Sequence, residues 1–131
     1  MADLALIDTF ERCAIDPERF KHADHMRLAW SYLRQMPLPE ALIKMRDGLK
    51  RLTEFLGKPD RYHETVTFAY VMLIQERMAS GEEAQTWDTF LGSNQDLLAS
   101  GQSILDQFYS SEKLSSPLAR RTFVWPDRMF R

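Results

Sequence analysis

The chain has 131 residues, 44% of them apolar, and sets 17 Lys and Arg against 19 Asp and Glu for a formal charge of -2. That length fits one domain with a real core, and the near-neutral charge excludes the basic balance of a nucleic-acid or anionic-membrane binder. No window approaches the ~20 apolar residues of a membrane span, Met1-Ala-Asp-Leu lacks the basic opening of a secretory signal, and the lone Cys13 can form no internal disulfide, so a cytoplasmic protein is expected.

Asp3 can cap a first helix running to about Cys13, since Leu4, Ile7, Phe10 and Ala14 recur at spacings of three and four. Asp16-Pro17 breaks the pattern, and Glu18-Arg19-Phe20 leads into a second helix. At about 100° per residue this helix sets His22, His25, Ala29, Tyr32, Leu33 and Met36 on one stripe and turns Asp24, Arg27, Ser31 and Arg34 away. Pro37 stops it, because the residue before a proline is pushed out of helical geometry.

Pro39 suits the first turn of a third helix, whose stripe Leu42, Met45, Leu49, Leu52 and Leu56 marks a packing element that Gly57-Lys-Pro59 ends. A fourth helix is expected from Asp60–Tyr62 to about Ala79. With His63 at zero on its wheel, Val66, Thr67, Tyr70, Ile74 and Met78 fall within about 60°. Phe68 and Met72 lie opposite, and Thr65, Gln75 and Glu76 are left for an exposed edge. Shorter elements follow over Glu82–Leu91, Asn94–Ala99 and Ser103–Tyr109, and Ser116-Pro117 opens a turn over Leu118–Arg121. Thr122–Arg131 carries too many large apolar residues for a solvated tail, and is expected to lie across the bundle and close one end of a pocket. The fold expected is therefore all-α: a single helical domain over residues 1–131, with four longer helices, short C-terminal helices and an extended tail.

His22 and His25 at i and i+3 share a face, and His63 opens another apolar helix, so the three imidazoles could meet in one interior pocket. Three such nitrogens would hold one divalent transition metal, Zn, Fe, Mn, Ni or Cu, with open positions for water or substrate. Without a metal, one histidine would act as general base, oriented by Asp24 or Glu64. Thr67, Tyr62, Tyr70, Trp30 and Arg77 are the candidate ligand-binding residues: Thr67 and Tyr70 share the His63 face, and Arg77 could meet an anion at the far end. Trp30 reads first as packing and Arg77 first as a cation reaching solvent.

The Arg120-Arg121 dipeptide by itself supports no phosphate site, and no P-loop, G-x-G-x-x-G, H-E-x-x-H or G-x-S-x-G pattern is present. The function expected is a small-molecule enzyme or binding protein built on a three-histidine pocket. The rival is a non-catalytic ligand-binding or interaction domain with structural histidines, for which a homodimer is compatible.

The motifs Phe20-x-His22-x-x-His25-x-Arg27-Leu-Ala-Trp30, Tyr62-His63-Glu64-Thr65-x-Thr67, and Tyr109-Ser-Ser-Glu112 through Ala119-Arg120 to Pro126-Asp127 span most of the chain. In their combination it resembles a group of small, functionally uncharacterised bacterial proteins. That resemblance implies a single helical domain of this length and no particular activity. The ending Met129-Phe-Arg131 departs from the Leu-Pro-like close of that group.

Overall fold

The computed structural model describes residues 2–81, 86–98 and 103–128, and among them all regular structure is helical. Four longer helices come first: α1 (Ala2–Glu11), α2 (His22–Gln35), α3 (Leu38–Phe55) and α4 (Glu64–Ser80). The shorter α5 (Trp87–Ser93), α6 (Ser111–Leu114) and α7 (Pro117–Arg121) follow, with 3-10 turns at Pro59–Arg61, Gln95–Leu98 and Ile104–Gln107. None of the described helices is long and apolar enough to cross a membrane. The expected start at Glu82, the end at Ala99 and the Met129–Arg131 close lie outside the described residues.

α1 stops at Glu11 rather than Cys13, because Cys13 turns into the left-handed region at φ 55 and closes the helix. Asp3 lies inside its first turn, where it pairs with Arg27 and Arg34 across the α1–α2 contact. α2 carries more apolar surface than one stripe: Leu28, Ala29, Trp30, Ser31 and Tyr32 are all fully buried. Ser31, expected to face away, lies in the interior and satisfies its hydroxyl on the Arg27 carbonyl. The reason is that α1 packs on α2 as α3 and α4 do, leaving the helix little free circumference.

α3 starts with Pro39 in its first turn and buries Ala41, Met45, Gly48, Leu49 and Leu52. Truncating a buried leucine such as Leu52 to alanine costs about 2–5 kcal/mol, because the cavity collapses only in part. α4 is covered on both sides, by α2 and α3 on one and by the C-terminal segment on the other. Phe68 meets Phe123 at a centroid distance of 6.2 Å. Thr65, assigned to an exposed edge from the wheel, is fully buried: its hydroxyl donates to the Thr122 carbonyl at 2.8 Å and accepts from the Val124 N–H at 3.2 Å. Residues 122–128 thus lie along the bundle as expected. They are held further by Tyr109 Oη on the Val124 carbonyl and by Asp127 on Ser110.

Candidate functional site

His22 is the first residue of α2, after the N-cap Lys21, and His25 lies one turn on. The Asp24 carboxylate accepts the Lys21 N–H at 2.9 Å and fixes that start. The two imidazoles therefore emerge side by side into a pocket of about 320 Å³ between α2, α3 and α4. Its walls are Met26, Ala29, Met45, Leu49, Val66 and Val71, and its polar groups are His22, His25, Thr67 and Tyr70.

Each polar group but one is held by a neighbour. His22 stands at the exposed mouth, and its Nε2–H donates to the Leu97 carbonyl at 2.9 Å. Its ring meets Tyr70 edge-on, 5.0 Å between centroids. Tyr70 Oη is bonded to Ser103 Oγ at 2.7 Å, and burial pushes its phenol up from the ordinary value. The Thr67 hydroxyl donates to the His63 carbonyl at 2.8 Å.

His25 is the exception. Its ring lies against Phe20, 4.1 Å between centroids, and its nitrogens make no hydrogen bond to a described residue. Burial, and secondarily the neighbouring His22, lower its pKa to about 4, with Asp24 opposing. At neutral pH this imidazole carries no charge and keeps a free lone pair.

His63 does not join them. The wheel placed it inside a helix, but the 3-10 turn Pro59–Arg61 intervenes and His63 becomes the N-cap of α4, with extended backbone. Its Nδ1 accepts the Val66 N–H at 3.2 Å and its Nε2–H donates to the Leu114 carbonyl at 2.7 Å. Both nitrogens are engaged, so the expected three-nitrogen metal set is reduced to His22 and His25. Among the described residues no group of three or more His, Cys, Asp and Glu side chains is placed to hold a metal ion.

The other sequence candidates also lie elsewhere. Glu64 accepts the Tyr62 hydroxyl, and Tyr62 lines a different groove, between α3 and α7. Trp30 packs on Trp87 and Phe90 at 5.7 and 6.2 Å. Arg77 is clamped by both oxygens of Asp96 and by Asn94, which answers its charge within the protein. The described part of the C-terminal segment, residues 122–128, lines no part of the histidine pocket; it borders a separate apolar depression of about 500 Å³, where Trp125 is 80% exposed.

Phe20, Leu97 and Ser103 are the site-shaping residues that the spacing did not reveal. Only Phe20 left a signal, as the apolar residue just before a helix N-cap, where it packs on the fourth helical position. No family model matches the chain, and neither a curated protein nor a solved structure matches it.

Proposed function

We propose that the pocket between α2, α3 and α4 binds a small, largely apolar molecule that donates one hydrogen bond to His25. The observation carrying this is a mostly buried, neutral imidazole with no protein partner for its nitrogens, lining a cavity whose other polar groups are already satisfied. A volume of about 320 Å³ suits a compact ligand. Binding is better supported than general-base catalysis. A base works best when its conjugate acid titrates near the working pH, and one near 4 gives up about three units of driving force at pH 7. A divalent metal, the expectation from the H-x-x-H spacing, would find two histidine nitrogens here and would need the ligand to complete its shell.

The test is a fragment screen of phenols, alcohols and amides read by the imidazole resonances. Binders should shift His25 and Tyr70 and weaken at least about tenfold, the worth of one buried hydrogen bond, in His25→Leu, which removes the acceptor. Binders indifferent to His25→Leu would sink the assignment, and binding that appears only with added Zn²⁺ would transfer it to a metal site.

The rival interaction role is favoured by one observation, the exposed Trp125 beside Phe123 on the apolar depression. Sedimentation of the wild type and of Trp125→Ala would reveal a self-associating face.

A further inference from the structure

The groove between the C-terminal half of α3 and α7 shares no lining residue with the histidine pocket. It has a volume of about 580 Å³, and Lys50 on α3 faces Arg120 and Arg121 on α7 across it, although seventy positions separate them in the chain. Arg120 is oriented by a hydrogen bond from Nη1 to the Asp60 carbonyl at 2.9 Å, which leaves most of its donors free. Lys50 Nζ sits 5.5 Å from the centre of the Tyr62 ring.

None of these three cations makes an ion pair within 4.0 Å, and neither do Glu54 and Asp60 in the same groove. Elsewhere many cations are paired, Arg12 with Asp8, Arg27 with Asp3, Arg46 with Asp47 and Arg77 with Asp96, and others such as Lys21 and Lys113 stand unpaired, but in this groove three unpaired cations share one concavity. Since the whole chain carries -2, a concavity with three unpaired cations is no by-product of general basicity. Concave surfaces concentrate such a field and draw in an anion.

We infer that this groove binds a small phosphorylated molecule bearing hydroxyl or amino donors, with Lys50, Arg120 and Arg121 on the phosphate. Two guanidiniums and an ammonium match a tetrahedral dianion with several oxygens better than a carboxylate, which one arginine satisfies in bidentate fashion. Glu54 and Asp60 oppose a purely anionic ligand but accept hydrogen bonds from hydroxyls on the same molecule. That combination selects a phosphorylated polyol over inorganic phosphate. The Arg120-Arg121 pair becomes informative only because the fold sets Lys50 opposite it.

The test is titration of the full chain with inorganic phosphate, ribose 5-phosphate and chloride at matched ionic strength, followed by amide and guanidinium resonances. Ribose 5-phosphate should bind at least about tenfold more tightly than inorganic phosphate, and Lys50→Gln and Arg121→Gln should each cost about tenfold. Both side chains are exposed, so folding is expected to survive, and if one variant fails to fold the other decides. Lys21→Gln, at another unpaired lysine outside the groove, should change nothing. Equal responses to phosphate and chloride would overturn the inference, as would affinity unaltered by Arg121→Gln. Preferential binding to single-stranded RNA or to anionic vesicles would overturn it too, by making the groove part of a macromolecular surface.

Discussion

Phe20 covers one side of the His25 imidazole, with ring centroids 4.1 Å apart and planes tilted by 32°. With Lys21 as N-cap, these are the residues before the cap and at the fourth helical position, the pair that forms a hydrophobic staple. A contact that fixes the entry of the chain into α2 therefore also covers one face of the one imidazole lacking a protein hydrogen-bond partner. Local helix capping and the chemistry of the pocket are coupled through it.

The unfolded chain takes up a proton at His25 near 6.5 and the folded chain only near 4, so between those values the unfolded state holds more protons. Stability contributed by this group is present above about 6.5 and is lost as pH falls to about 4, by about 3 kcal/mol in full. Denaturant unfolding across that window should show the loss, and His25→Gln should flatten it. Phe20→Ala should raise the His25 midpoint, read directly by NMR titration; a midpoint that stays near 6.5 in the wild type would refute the buried neutral imidazole.

His63 is assigned a structural role. Its cap on Val66 is worth about 1 kcal/mol and the bond to the Leu114 carbonyl about as much again. His63→Ala should lower unfolding free energy by about 2 kcal/mol, and His63→Asn should recover roughly half by restoring the cap alone. Neither substitution should alter binding in the histidine pocket.

Thr65 ties the C-terminal segment to α4 with two hydrogen bonds in a fully buried setting. Thr65→Val keeps the shape but orphans the Val124 N–H and the Thr122 carbonyl, at about 1–3 kcal/mol each way of counting the lost partners. Thr65→Ser should be much milder. Hydrogen exchange at the Val124 amide is the direct measurement, and unchanged protection in Thr65→Val would show that the segment is held by packing instead.

Gly48 sits in α3 where a Cβ would come within 2.2 and 2.4 Å of the Phe10 ring, which is itself fully buried. Alanine gains about 1 kcal/mol of helix propensity, but overpacking costs about 1–3 kcal/mol, so Gly48→Ala should destabilise. Phe10→Leu in the same chain should relieve the clash, and thermal melts of the two single variants and the double would reveal the coupling.

α1 and α3 end in the same way. Ala14 N–H bonds the Thr9 carbonyl and Cys13 N–H bonds that of Phe10, just as Lys58 bonds Thr53 and Gly57 bonds Glu54. The left-handed residue is Gly57 at φ 74 in one case and Cys13 at φ 55 in the other. That conformation costs a non-glycine residue about 1–2 kcal/mol, against about 0.5–1 kcal/mol of extra unfolded-chain entropy for glycine. Cys13→Gly should therefore stabilise modestly and Gly57→Ala should destabilise, both by chemical denaturation.

Much of this protein is legible in its order of residues. The four helices, the stop at Pro37, the glycine close at Gly57 and the shared face of His22 and His25 all follow from local rules, because a helix is a short-range structure whose period and caps lie within a few residues. That Phe68 would be partly covered on the second side of α4, where it meets Phe123, was legible for the same reason. What tertiary structure alone decided is where polar groups find partners. A wheel could not show that the 3-10 turn at Pro59–Arg61 would make His63 a cap bonded to Leu114, or that Thr65 would be covered by residues 122–124. Nor could it show that Arg77 would be met by Asp96, or that Lys50 would face Arg120 and Arg121. Each depends on segments far apart in the chain, and hydrogen bonds and ion pairs are short-ranged in space while indifferent to separation along the sequence.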